Sequence, residues 1–166
     1  MKSSFEEFME EWIKYLNNDP ALQWRIKQPF FYSGDWPFGL GTGLLREERM
    51  QKLDVEGKEL VELTVPEGPY TYTIELKEGK FRLKQDKAKK PLLSWTVPLA
   101  LLKDTLTKGM EFSNRLVYIL LDERCKLSFN TSEWSKPNGT TVFEVLVCAQ
   151  ELAEKNAEMR KILKNL

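Results

Sequence analysis

Lys80, Arg82, Lys84, Lys87, Lys89 and Lys90 make the only basic concentration in the chain. Such a cluster has the chemistry to meet phosphates or an anionic headgroup. The first three, however, alternate with Phe81 and Leu83, the pattern of an exposed strand with one solvated face. The others belong to a hairpin-like loop, where lysines also discourage edge-to-edge pairing, so solvated surface is the expectation. Cys125 sits in "DERCKL" between Arg124 and Lys126, cations that lower a thiol pKa, but no base partner is visible to activate it. Cys148, in "VLVCAQ", reads as a small buried thiol.

Other chemical signatures fail on spacing. "FGLGTG" (38–43) is G-x-G-x-G, whereas a dinucleotide fingerprint is G-x-G-x-x-G. A phosphate loop would also continue into Lys-Ser or Lys-Thr, where Leu44-Leu45 stands. A tight, aromatic-flanked turn is expected there. The acidic pairs Glu6-Glu7, Glu10-Glu11 and Glu47-Glu48 are neighbours in sequence, while an acid/base dyad requires a shared pocket that splits two pKa values. The chain has no histidine, which removes the commonest general base near neutral pH, the Ser-His and Cys-His nucleophile pairs and the commonest metal ligand. Two cysteines are too few for a disulfide framework or a Cys-only zinc site. No catalytic residue, cofactor or metal is expected, and the reading is non-enzymatic.

Lys plus Arg and Asp plus Glu are balanced at 25 each, so no net field recruits nucleic acid or an anionic membrane. The opening "MKSSFEEFMEEW" is acidic and lacks a continuous apolar run, unlike a signal peptide, and no stretch reaches the roughly 18 apolar residues of a membrane span. A cytoplasmic protein without stable membrane insertion is expected.

What remains is apolar supply. Trp95, Leu99, Leu102, Leu106, Phe112, Val117 and Ile119, with Val145 and Ala149 on a C-terminal stripe, exceed what a thin sheet–helix interface requires. Such residues are core by default, yet an internal cavity for an apolar ligand is built from the same types with few polar groups.

The elements that would position them are legible from periodicity. Phe5, Phe8, Met9, Trp12, Ile13 and Leu16 share a helical stripe, with Ser4 and Glu7 fitting a capping box and Asn17 to Pro20 ending the helix. A second short helix fits 21–26, and the aromatic, Gly- and Pro-rich 28–43 reads as irregular. Val61, Leu63 and Val65, then Tyr70, Tyr72, Ile74 and Leu76, then Phe81 and Leu83 alternate as strands joined by turns at 66–69 and 77–80, which implies antiparallel neighbours. "LLSWTV" (92–97) adds a strand, and Pro98 opens a helix with the stripe Leu99, Leu102, Leu106. For 114–130 a hairpin turning near Asp122-Glu123 and an amphipathic helix both fit; β-branched and aromatic content favours strands. "SKPNG" (135–139) reads as a turn, and Thr141 with Glu144 as the cap of a helix over 141–165 with Val142, Val145, Leu146, Ala149, Leu152 and Ala153 inward. The fold class is α+β, an approximately five-stranded, largely antiparallel sheet with helices on one face, in a single domain over 1–166 with an insertion at 24–58.

The order of these parts resembles the sterol carrier protein type-2 family. The residues that carry the resemblance are "EEFMEEWIKYLNNDPALQ", "YTYTIELKEGKFRLKQ", "DKAKKP", "LLSWTV" and "PLALLKDTLTKG", clearest over 70–109 and present over 5–23. Leu92 stands where the family usually has an aspartate, and "RLVYILLDER" has Asp122 without the family's glycine. The resemblance implies a five-stranded sheet covered by helices, with a tunnel for lipids or fatty acyl chains between them and no catalytic residues.

The function expected is non-catalytic binding or transfer of a hydrophobic or amphipathic small molecule, such as a fatty acyl chain, acyl-CoA or sterol-like lipid. A second reading is an interaction module with a filled core, working as a subunit or homodimer through the aromatic stretch Phe30, Phe31, Tyr32, Trp36 and Phe38. A third is a small enzyme using Cys125, a lysine or a buried carboxylate.

Overall fold

The structure, a computed structural model, describes residues 2–27, 30–32, 50–68, 70–107 and 119–166. Helix α1 (Ser4–Asn18) forms because Phe5, Phe8, Met9, Trp12 and Leu16 recur every three or four residues, and all are buried. Burying each such side chain contributes about 1.5–3 kcal/mol. Its cap lies one residue earlier than the sequence suggests. Ser3 Oγ accepts from the Glu6 N–H at 3.1 Å, and Ser4 is already helical. Asp19 ends α1 and caps α2 (Pro20–Ile26), accepting from the Leu22 N–H at 2.9 Å.

Strand β1 (Phe30–Tyr32) pairs antiparallel with β2 (Met50–Lys52) in a separate two-stranded sheet. The glycine-rich turn expected at 38–43 lies outside the described residues. The main sheet contains β3 (Glu59–Val65), β4 (Tyr70–Lys77), β5 (Lys80–Lys84), β6 (Leu93–Thr96) and β7 (Lys126–Phe129), in the order β5-β4-β3-β6-β7. The meander β3–β4–β5 is antiparallel, as its short turns require, and β7 is antiparallel to β6. Strand β6, however, runs parallel to β3, so the sheet is mixed. The reason is the return path after β5. Residues 85–91 cross the polar face of the sheet, where Thr73 Oγ1 donates to Asp86 O at 2.8 Å and Glu62 accepts from the Ala88 N–H at 2.7 Å. The chain thus re-enters beside the start of β3.

The other sheet face is apolar. Val61, Leu63, Tyr72, Ile74, Leu93 and Trp95 are buried on it, and the helices cover it. Helix α3 (Leu99–Thr107) follows Pro98, whose carbonyl accepts from the Leu102 N–H at 3.1 Å. It buries Leu101, Leu102, Thr105 and Leu106, while Leu99 is half-buried at its start, so the inward stripe is rotated from the one expected. Ile119 has helical backbone, turns occupy 120–125, and β7 follows. Only the second half of the hairpin expected over 114–130 is therefore a strand among the described residues, and it pairs with β6.

Helix α4 spans Lys136–Lys155, with Ser135 Oγ accepting from the Asn138 N–H at 3.2 Å. "SKPNG" is its cap and first turn, not a loop, and Thr141 is interior, with its hydroxyl donating to Pro137 O at 3.0 Å. The expected single helix breaks at Asn156, which caps α5 (Ala157–Lys164) by accepting from the Met159 N–H at 3.1 Å. The inward stripe Val142, Val145, Leu146, Ala149, Leu152 and Ala153 is buried as its spacing requires. The Trp12 indole N–H donates to Val145 O at 2.9 Å and pins α1 against α4.

Candidate functional site

Six of the nine expected lining residues join one buried apolar cluster: Trp95 on β6, Leu102 and Leu106 on α3, Ile119, and Val145 and Ala149 on α4. Leu99 packs against that cluster from its half-buried position. Phe112 and Val117 lie outside the described residues. Leu101 and Leu120 are buried in the same cluster and were missed, the first because a stripe through Leu99 leaves it on the flank.

Trp95 carries a buried polar atom into this layer. Its register sets it between Leu63 on β3 and Leu127 on β7, and its side chain is 1% exposed. Among the described residues, the indole N–H meets no oxygen or nitrogen acceptor. The Cys125 thiol lies close enough to feel it, but sulfur is a weak acceptor. Burial pushes the Cys125 pKa up, and the Trp95 N–H offsets part of that rise. Of the flanking cations, Arg124 is engaged by Asp122, which accepts from its Nε at 2.9 Å and its Nη2 at 2.8 Å. That pairing holds the Asp122 carboxyl at about 2. Burial likewise pushes Cys148 up to about 12.

The lysine-rich loop is held from below by carboxylates. Glu59 accepts from the backbone N–H groups of Lys89 and Lys90, each at 2.9 Å, and pairs with the Lys84 ammonium at 2.8 Å. Burial raises the Glu59 pKa, but these partners outweigh it and hold the carboxyl below its ordinary range. Lys90 and Lys58 both reach Glu133, whose pKa is lowered, first by Lys58 and then by Lys90. The loop therefore serves the β5-to-β6 crossover, as a solvated structural feature.

Described residues line concavities on the surface of the fold, two of which are as follows. One, of about 390 Å³, lies between α1 and α5 and is lined by Glu7, Glu10, Glu11, Asn156, Glu158, Met159 and Ile162. The other, of about 430 Å³, is lined by Phe129, Thr131, Trp134 and Phe143. Its rings meet edge to face, Phe129 to Trp134 at 4.8 Å and Trp134 to Phe143 at 6.0 Å between centroids. Neither contains any of the nine expected residues. The aromatic concavity was missed because it depends on α4 beginning at residue 136, which places Phe143 beside Trp134.

Among the described residues, no group of three or more His, Cys, Asp or Glu side chains is arranged to hold a metal ion, and no helix is long and apolar enough to cross a membrane. No family model matches the chain, and no curated protein matches it. A solved structure described as a UbiJ-SCP2 ubiquinone synthesis protein is similar in backbone with a TM-score of 0.46, at 11% sequence identity, over 87% of this chain and 90% of that one.

Proposed function

We propose that this protein binds an apolar or amphipathic small molecule, such as a fatty acyl chain, acyl-CoA or sterol-like lipid, without transforming it, in the layer between the sheet and helices α3 and α4. The observation that carries this reading is the Trp95 indole N–H, buried in an apolar cluster with no oxygen or nitrogen of the described residues to receive it. An unpaired buried donor costs about 1–3 kcal/mol, which a carbonyl or hydroxyl oxygen of an amphiphile recovers on arrival. Each chain methylene buried contributes about 0.8 kcal/mol before ordering costs are subtracted. The motif order over 70–109 that resembles the sterol carrier protein type-2 family supports the same ligand class.

The cluster is closed to solvent, with Trp95 and Leu106 each 1% and Val145 0% exposed. Entry of a ligand therefore requires α3 to move away from the sheet, and binding is slower than diffusion. Titration with a fluorescent fatty-acid analogue tests the proposal, alongside mass spectrometry of organic extracts of the purified protein. Saturable binding, weakened several-fold in Trp95→Phe with the fold unchanged, is expected. Absence of saturable binding together with a lipid-free extract overturns it.

A further inference from the structure

We propose that β7 is a docking edge for a second copy of this chain, whose own β7 pairs with it antiparallel and joins the two main sheets. The two edges of the sheet are treated differently. On the β5 edge, the Asn17 side chain imitates a neighbouring strand: its Nδ2 donates to Phe81 O at 3.0 Å and its Oδ1 accepts from the Phe81 N–H at 2.8 Å. Lys80, Arg82 and Lys84 on that strand add repulsion against a visitor. Among the described residues, the β7 edge has neither device. The Asn130 N–H donates to Leu92 O at 3.0 Å, and the register continues through Ser94–Ser128 and Thr96–Lys126. By the alternation of an antiparallel ladder, the main-chain groups of Leu127 and Phe129 point away from the sheet. No described residue bonds them.

The second copy is favoured because the strand is its own complement. A twofold axis at Ser128 sets Leu127 of each chain opposite Phe129 of the other, so their outward N–H and C=O groups exchange hydrogen bonds in both directions. The same pairs are apolar cross-strand neighbours on the face that carries Trp95 and Leu93. Ser128 meets its own counterpart, and Lys126, the single cation on the strand, meets Asn130 and not a second lysine. Phe129, 39% exposed, is the ring that such pairing covers, and Leu127 of the second copy then lies over the Phe129–Trp134–Phe143 concavity.

Sedimentation velocity up to a few hundred micromolar tests the edge, with oxidative cross-linking of Ser128→Cys as the test of register. The chain is expected to sediment at twice its 19.4 kDa mass. Phe129→Glu shifts it to the monomer with an unchanged circular-dichroism spectrum, and Ser128→Cys gives a disulfide-linked dimer that the native Cys125 and Cys148 do not give. A wild-type monomer at that concentration overturns the proposal and leaves the edge to an extended peptide of another protein. A dimer that survives Phe129→Glu, or that Ser128→Cys fails to link, overturns it as well.

Discussion

The carboxamide of Asn17 holds the main chain of Phe81 at both ends, donating to its carbonyl at 3.0 Å and accepting from its N–H at 2.8 Å. It thereby closes α1 onto β5 and caps an edge of the sheet. Replacing Asn17 with Ala removes both bonds and leaves that edge free, at a cost of about 1–3 kcal/mol. Asn17→Asp should be worse than the loss of one bond, because the donor becomes a second acceptor facing the Phe81 carbonyl. Urea unfolding monitored by circular dichroism reads both effects. Equal midpoints for wild type and Asn17→Ala would show that the bonds contribute nothing.

The helical stripe of α1 and the β3–β4–β5 meander were legible because their information is local: one period, short turns, and partners close in sequence. The parallel pairing of β3 with β6 was not legible, since "LLSWTV" describes an apolar strand without saying which neighbour it joins or in which direction. The start of α4 was misread for a different reason. Ser-Lys-Pro-Asn-Gly has the composition of a turn, but Gly139 is there for space: a Cβ would stand 2.6 Å from Trp134 Cζ2. Of the candidate site, the identity of the buried residues could be read, but not the orphaned Trp95 donor, which depends on what the distant Cys125 segment brings beside it.

The pH response of stability follows from Glu59. Its folded pKa lies below the ordinary 4.5, because Lys84 and the Lys90 and Lys89 amides outweigh the penalty of burial. A depressed carboxyl contributes stability that is present above pH 4.5 and is lost as the pH falls through the folded value. Melting temperature should therefore drop on acidification below that point. In Glu59→Gln the drop should be shallower, starting from a lower plateau at pH 7. Scanning calorimetry between pH 3 and pH 7 measures the two profiles, and parallel curves would remove Glu59 from the account.

Thiol reactivity provides a probe of the core. Cys148 is buried on α4 and its pKa is pushed up to about 12, so almost none of it is thiolate at pH 8. Cys125 is also shifted upward, chiefly by burial. Native protein should react slowly with a thiol-specific chromogenic disulfide, Cys125 ahead of Cys148, and both should react rapidly in denaturant. If the proposed ligand enters by lifting α3, its presence should change the Cys125 rate through the neighbouring Trp95. Rapid native labelling of Cys148 would contradict its burial.

The tightest turn of the sheet carries a correctable strain. Lys77 and Lys80 pair across a two-residue loop in which Glu78 has φ 55° and Gly79 has φ 72°. Both central residues of such a hairpin turn must take positive φ, which Gly adopts freely, Asn tolerates and Glu resists. Nothing lies within 4 Å of a Cβ placed on Gly79, so Gly79→Ala tests the backbone alone and should cost about 1–2 kcal/mol. Glu78→Asn creates the Asn-Gly pair that this geometry favours. It also removes the ion pair to Arg82 at 2.8 Å, but that pair is exposed and contributes about 0.2–1 kcal/mol at most. The smaller strain of Asn should offset that loss and leave the variant as stable as the parent or more so, with faster refolding if the hairpin forms early. Chemical denaturation and stopped-flow refolding measure the two quantities, and a destabilised Glu78→Asn would show that the Arg82 pair outweighs the turn.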